Sequence, residues 1–134
     1  MKLNILKVLV ALFLIAGAVY SQNTGKVKAV VGDLPAQMNE GESIRVAVTL
    51  TNTGTNTWPS DALTTRVTGA FSIRRDGNNE FMLEPGQSQV MYYLLTAPNK
   101  TGKRNCHVNF YTSNKKIGSK HKVIAVNGIS PGLK

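Results

Sequence analysis

Cysteine and histidine are the residues of this chain that could carry nucleophilic or metal chemistry. The sequence contains one cysteine, Cys106, and two histidines, His107 and His121. Nucleophilic catalysis needs a serine or cysteine beside a histidine that an acidic group orients. All seven acidic residues lie before residue 85, and Cys106 and His107, as neighbours in a strand, would point to opposite faces. We therefore expect no catalytic site and no enzyme activity.

A copper site is the other chemistry that these residue types suggest. Blue-copper proteins bind the metal through two histidines, a cysteine and a weak axial methionine. Met91, Cys106, His107 and His121 supply those types, but the short loop that carries cysteine, histidine and methionine together is missing. Phosphate-binding loops and zinc-ligand spacings are missing too. We expect no metal and no cofactor, and the alternative function is a periplasmic metal-binding or redox protein using Cys106, His107 and His121.

The amino-terminal residues have the pattern of a secretory signal peptide. Lys2 and Lys7 flank the start of an apolar run, residues 8–20, that contains no charge. The apolar region of a signal peptide takes about 7–15 residues, whereas a membrane-spanning helix needs about 18 or more. We predict that residues 1–21 are a cleaved signal peptide and that residues 22–134 form one exported domain. It would lie in the periplasm or at the cell surface, with no stable membrane anchor. The alternative is that the segment stays uncleaved as an N-terminal anchor.

The remaining sequence alternates between apolar and polar residues, which is the period of a half-buried strand. In "SIRVAVTL", for example, Ile44, Val46, Val48 and Leu50 share one face. Further strand candidates are "ALTTRVTG", "FSIRR", "EFMLEP", "QVMYYLLTA", "NCHVNFYTS" and "HKVIAV". Clusters such as "DGNN", "EPGQ" and "SNKKIG" lie between them and are typical of turns. We predict an all-β fold, an immunoglobulin-like β-sandwich of about seven strands.

The stretch "LTNTGTNTWP", residues 50–59, contains the single tryptophan. We predict that Leu50 ends a core strand and that the polar residues after it carry the chain from one sheet to the other. Trp58 then begins the next strand and fills the core between the sheets. Pro59 suits the start of a strand, where no ladder hydrogen bond is required. The competing interpretation is that Trp58 is an exposed platform for a sugar.

Two segments carry a resemblance to a known family. "VTLTNTGTNTWP" and "LEPGQSQVMYYLLTAPNKTGKRNCHVNFYTSNKKIGSK" resemble the four-tryptophan, or next-to-breast-cancer-gene, immunoglobulin-like domain. The shared features are an N-x-G-x-x-x-W opening, a Pro-Gly turn before a long strand, and "AP" followed by a glycine. The resemblance covers roughly residues 44–127, and only Trp58 of the family's tryptophans is present. It implies a non-catalytic binding or structural module acting through protein–protein or envelope-surface contacts.

Positive charge is concentrated in the last third of the chain. The net charge is +9, and residues 85–134 hold eight basic residues and no acid. If the last two strands pair, they gather a basic patch of Lys103, Arg104, Lys115, Lys116, Lys120 and Lys122. Such a patch attracts a protein or an anionic envelope component, such as an acidic glycan or a lipid headgroup. Export argues against a nucleic-acid partner. The alternative is that these lysines solubilise the domain and protect a strand edge.

The segment "QVMYYLLTA" is apolar on both of its sides. A sandwich strand normally has one face in water, so the second apolar side needs a cover. Either the preceding segment "KVKAVVGDLP" covers it or it meets another protein. The predicted apolar contact face consists of Met91, Tyr93 and Leu95.

Overall fold

The computed structural model describes residues 26–78 and 80–129. In these residues the chain forms ten β-strands and one short 3-10 turn, Ser60–Ala62. The strands are β1 (Val27–Val31), β2 (Gln37–Asn39), β3 (Ser43–Asn52), β4 (Trp58–Pro59), β5 (Leu63–Val67), β6 (Ser72–Arg75), β7 (Met82–Leu83), β8 (Ser88–Thr96), β9 (Gly102–Thr112) and β10 (Lys115–Asn127). The predicted signal peptide, residues 1–21, lies outside the described residues. The described part of the chain contains no helix that is long and apolar enough to cross a membrane.

The strands form two four-stranded sheets. The first sheet has the order β1-β3-β8-β6 and the second has the order β2-β10-β9-β5, while β4 and β7 form a small separate ribbon. The first order corresponds to strands A-B-E-D of an immunoglobulin constant-type domain, and β5-β9-β10 corresponds to C-F-G. β2 adds to β10 in parallel. The predicted all-β immunoglobulin-like sandwich is confirmed.

The core lies between the two sheets because each long strand buries alternate side chains. In β3, Val46, Val48 and Leu50 are buried, as their spacing predicts. Tyr93 of β8 meets Phe110 of β9 across the sandwich, with the ring centroids 5.1 Å apart in an edge-to-face arrangement. This geometry places the positive edge of one ring against the negative face of the other and is favourable in a packed core.

Asn52 holds together the crossover after β3 and the Pro-Gly turn before β8. Its side-chain amide is fully buried and donates to the carbonyl oxygens of Asn56 at 2.7 Å and Leu83 at 2.8 Å. Its Oδ1 accepts from the backbone N–H of Gly54 at 2.9 Å. Its main chain exchanges two more bonds with the turn, accepting from Gly86 at 2.8 Å and donating to Gln87 at 3.0 Å. Thus the asparagine of "NTGTNTW" and the glycine of "EPGQ" meet at one point.

The structure places Trp58 between the two sheets with 0% of its side chain exposed. It starts β4 and pairs with Leu83 of β7. Its indole Nε1–H donates to the hydroxyl oxygen of Thr112, at the end of β9, over 3.3 Å. Thr112 is itself fully buried. Water cannot reach either polar group there, so this hydrogen bond gives each of them a partner.

The segment "KVKAVVGDLP" does not cover the outer face of β8. Its residues Val27–Val31 form β1, which pairs antiparallel with β3 at the edge of the first sheet. Val27, Ala29 and Val31 turn inward and are buried, whereas Val30 is exposed. The alternation of this segment makes it a strand within the same sheet, and a strand in the plane of a sheet cannot cover that sheet's face.

The hairpin of β9 and β10 turns more tightly than "SNKKIG" suggests. The turn consists of Ser113 and Asn114, whose φ angles of 50° and 63° suit a two-residue type I′ turn. The register then shifts by one residue between Lys116 and Gly118, which marks a β-bulge. A side chain at Gly118 would collide with the backbone oxygen of Ala29 in β1, so glycine permits the close approach of the two sheets there.

Candidate functional site

The outer face of the first sheet carries a row of two valines and a threonine that crosses three strands. Val30 of β1 pairs with Thr49 of β3, which pairs in turn with Val90 of β8. Val30 is 54% exposed and Val90 is 44% exposed. Because directly paired residues share a face, these side chains form a continuous strip.

The adjacent rows extend this strip with an aromatic ring. Tyr92 of β8 is 41% exposed and pairs with Ala47 of β3. The guanidinium of Arg45 lies 4.5 Å from the centroid of the Tyr92 ring, and its Nε donates to Oδ2 of Asp76 at 2.9 Å. The salt bridge and the cation–π contact hold the ring in place. We call Val30, Ala47, Thr49, Val90, Tyr92 and Leu94 the Tyr92 face.

A shallow cleft of about 140 Å³ borders the Tyr92 face. Its lining includes Tyr92 and Val90 on one side and Asp76 and Phe81, from the connection between β6 and β8, on the other. The cleft is of mixed character, because Arg75 and Gln89 line it together with the apolar side chains, and its one carboxylate is already paired to Arg45. A side chain of a docking partner could enter it from the face.

The predicted contact face of Met91, Tyr93 and Leu95 is wrong. All three side chains are buried on the core side of β8, where Tyr93 packs on Phe110. Burial raises the pKa of the Tyr93 hydroxyl, partly opposed by the charge of Arg75. Both sides of β8 are apolar, so alternation alone could not show which side faces the core. The exposed side is that of Val90 and Tyr92.

The six basic residues of the predicted patch lie on one hairpin but not on one face. Lys120 and Lys122 pair with the buried residues Val108 and Cys106, so they share the inner side of β10. They lie in the first part of that strand, where most side chains are exposed. Lys103 and Lys116 lie on the outer side, eight residues of β9 apart in register, or roughly 27 Å. Arg104 shares the inner side as the partner of Ile124, and Lys115 lies beside the turn, opposite Thr112. Lys120 also approaches Asp33 at 3.4 Å. The charges are spread along the hairpin rather than gathered into a compact site.

Cys106 faces the core, where its side chain is fully buried. Burial disfavours the thiolate and raises the pKa of the thiol from 9.0 to about 11. Because the thiolate is the form that attacks electrophiles and binds metals, the position of Cys106 does not favour a redox or metal-binding role.

Native Cys106 should resist alkylation. We expect a maleimide to modify it at pH 8 at least a hundredfold more slowly in the folded protein than in urea, as followed by intact mass. Since its pKa is raised on folding from 9.0 to about 11, Cys106 contributes stability that is present below pH 9 and is lost as the pH rises towards 11. Cys106→Ala should lack this part of the pH dependence. Equal labelling of the folded and unfolded protein would contradict the buried position.

His107 and His121 lie on the opposite, outer side of the same hairpin. The two residues pair directly between β9 and β10, and their rings stack with centroids 4.1 Å apart. Cys106 points the other way, so the three residues of the alternative function do not converge. In the described part of the chain, no group of three or more histidine, cysteine or acidic residues could hold a metal ion.

Comparison with known proteins supports the fold and goes no further. No protein-family model matches this chain, and no curated protein matches it. Among solved structures, a FixG-related protein from Vibrio parahaemolyticus is similar with a TM-score of 0.52 and 15% identity, over 75% of this chain and 96% of that one. Salmonella alpha-2-macroglobulin reacted with methylamine gives a TM-score of 0.51 and 16% identity over 77% of this chain. This chain spans only 7% of the macroglobulin's length.

Proposed function

We propose that this chain is an exported, non-catalytic immunoglobulin-like module that binds a partner protein through the Tyr92 face. The observation that carries the proposal is the row of Val30, Thr49 and Val90, two exposed valines on either side of a threonine, with Tyr92 beside it. Val30, Val90 and Tyr92 are exposed, although the Arg45 guanidinium lies over the Tyr92 ring. β1, the candidate cover from the sequence, is an edge strand of the same sheet. Contiguous exposed apolar patches on soluble domains mark interaction sites, and tyrosine and arginine are enriched at their centres.

The charges around the Tyr92 face indicate the chemistry of the partner. Lys28, Arg45 and Arg74 share the outer side of the first sheet, and Asp76 forms a salt bridge with Arg45. A complementary surface would have an apolar centre and an acidic rim. One of its side chains could enter the cleft beside Tyr92. The lysines of the β9–β10 hairpin would add long-range attraction, which speeds association with an acidic partner more than it fixes specificity.

The proposals of export and of family membership both rest on sequence features. The signal-peptide pattern of residues 1–21 supports secretion, and the N-x-G-x-x-x-W motif supports a stand-alone member of the four-tryptophan family. The structure gives that motif a role, since Asn52 ties the crossover to the Pro-Gly turn and Trp58 fills the core. Accessory modules of this kind work through their surfaces. We infer the same for this chain, with no cofactor and no catalytic group.

The test is a comparison of matched serine variants. The partner is captured from native envelope extract by cross-linking to the purified protein, identified, and then produced separately for affinity measurement. We expect Tyr92→Ser and Val90→Ser each to weaken its binding at least tenfold, because both remove buried apolar contacts from the interface. Val123→Ser is the control, since Val123 is 47% exposed on the outer face of the second sheet.

Vesicles containing anionic lipid provide a second arm of this test. We expect no binding that depends on Tyr92 or Val90, because a headgroup surface would recognise charge rather than these two side chains. If the vesicles bind the wild-type protein but not the Tyr92→Ser variant, the partner is a membrane surface and the proposal of a partner protein fails. It also fails if the three serine variants bind the captured protein equally.

A further inference from the structure

We propose that His107 and His121 form a two-histidine site for a divalent transition-metal ion on the outer face of the second sheet. The two residues occupy directly opposed positions on β9 and β10. Both side chains are exposed, and their rings lie 4.1 Å apart with an angle of 16° between their planes. Two imidazoles held side by side on one hairpin can bind one metal ion once their rings turn so that a nitrogen of each faces a common point.

The two rings are near enough for one ion to reach a nitrogen of each after the rings turn. Zinc binds imidazole nitrogen at about 2.0–2.1 Å with tetrahedral geometry, so two nitrogens on one ion lie about 3.4 Å apart. The rings of His107 and His121 are stacked at 4.1 Å, and rotation about their side-chain bonds can bring one nitrogen from each towards a common point. No movement of the backbone is needed, because cross-strand partners already have their Cβ atoms about 5 Å apart.

Asn105 determines which ring nitrogen of neutral His121 carries the proton. Its Oδ1 lies 3.3 Å from Nε2 of His121. An amide oxygen only accepts hydrogen bonds, so in the neutral ring Nε2 is the nitrogen that carries the proton and Nδ1 is the one with the lone pair. Metal-binding histidines commonly donate their other ring N–H to such an oxygen, which fixes the tautomer and the ring orientation. The contact therefore leaves His121 with a free nitrogen for an ion.

The immediate surroundings of the pair carry no charge on the outer sides of β9 and β10. The flanking rows are Asn105 with Val123 and Asn109 with Ser119. Lys103 and Lys116 lie in rows that are each four residues of β9 away from His107, or roughly 13 Å. A cation can approach the pair there without meeting a lysine.

Arg66 is the remaining cation on this side. It pairs with Asn109 from β5, but its guanidinium lies over the ring of Tyr111, 5.2 Å from the centroid. Tyr111 is two positions beyond Asn109 along β9, on the side away from His107. This contact holds the arginine charge away from the histidines.

The β-bulge creates the pairing. The two-residue turn aligns Lys116 with Tyr111, and an unbroken ladder from there would place Lys120 opposite His107. The one-residue shift before Gly118 instead places His121 opposite His107. Without the bulge the two histidines would lie on opposite faces of the sheet. The feature that brings the rings together is thus built into the backbone.

Two protein nitrogens leave the remaining coordination positions to water or to a donor from a partner. Imidazole suits copper(II), nickel(II) and zinc, with copper(II) bound most tightly in the usual order of stability. A site with two ligands is exchangeable rather than structural, since structural zinc sites use four protein ligands. This proposal is independent of the Tyr92 face, which lies on the other sheet.

Zinc chloride is the probe, with untagged protein in a buffer that does not bind metals, followed by titration calorimetry. We expect one zinc ion per chain and binding at least tenfold weaker in His107→Gln and in His121→Gln. Lys116→Gln, a change elsewhere on the same face, should bind zinc like the wild type, and so should Tyr92→Ser. Copper(II) should bind more tightly than zinc and lose affinity in the same two histidine variants.

Thermal unfolding provides a readout that does not depend on heat of binding. An ion that bridges β9 and β10 binds the folded chain more tightly than the unfolded one, so excess zinc should raise the melting temperature of the wild type. Neither histidine variant should respond, although both should be folded by circular dichroism. Equal zinc affinity in the wild type and both histidine variants, or no saturable binding to the wild type, would overturn the site. If Tyr92→Ser still bound the partner protein, the proposed function would fail, but the zinc result would not change.

Discussion

Replacing Trp58 with alanine is expected to lower the free energy of unfolding by roughly 3–5 kcal/mol. The side chain is 0% exposed, so its loss opens a large cavity between the two sheets. It also removes the Nε1–H donor that lies 3.3 Å from the hydroxyl of Thr112, leaving a buried polar group with one partner fewer. Urea unfolding followed by circular dichroism measures the change, since the variant has no tryptophan to report by fluorescence.

Trp58→Phe is the matched control for this prediction. Phenylalanine keeps an aromatic ring between the sheets but cannot donate to Thr112, so we expect it to cost less than the alanine variant. The two variants together separate the cavity from the lost hydrogen bond. An alanine variant as stable as the wild type that fails to bind a sugar would instead support the exposed-platform interpretation of Trp58.

Alternation predicts the fold because burial on one face of each strand follows directly from residue spacing. In β3, Val46, Val48 and Leu50 are buried as expected. The same rule fails for β8, where both sides are apolar and period two fits either orientation. The choice between Met91 and Tyr92 depends on which side meets the second sheet. That is a property of the whole sandwich, so the contact face predicted from sequence lies in the core.

The sequence could not predict that the two histidines are direct cross-strand partners, and the reason is different. His107 and His121 are fourteen positions apart in the numbering, and their meeting depends on the register of one hairpin. The whole of "SNKKIG" resembles a turn by composition, yet Ser113 and Asn114 alone make it. Even a correct turn would have given the wrong partner without the bulge. The signal that could have found it is the glycine at 118, since glycine inside a strand often marks a bulge.

The two candidate sites lie on opposite outer faces of the sandwich. The Tyr92 face belongs to the first sheet, and His107 with His121 belongs to the second. Between them lies a core that contains Cys106, so the buried thiol belongs to neither site. Surface variants on one sheet should therefore leave the other site intact, because substitutions at well-separated positions are usually additive.

Asn52 joins the two segments that carry the family resemblance. Its buried side-chain amide donates to the carbonyl oxygens of Asn56 and Leu83 and accepts from the N–H of Gly54. Its main chain bonds the turn at Gly86. A hydrophobic side chain could fill the space but could not satisfy these groups. The structure thus explains why a polar residue ends a core strand immediately before the crossover.

Asn52→Ala should therefore lower the free energy of unfolding by roughly 2–4 kcal/mol, since each buried polar group left unpaired costs about 1–3 kcal/mol. Urea unfolding measures it, with Thr53→Ala as the control. Thr53 is exposed, and its hydroxyl donates to the carbonyl of Lys26 at 2.8 Å, so its loss should cost under about 1 kcal/mol. Asn52→Asp should be at least as harmful as alanine, because a carboxylate facing the carbonyl of Leu83 cannot donate and would bury a charge. An aspartate variant as stable as the wild type would show that the amide donors are dispensable and that the crossover is held by other contacts.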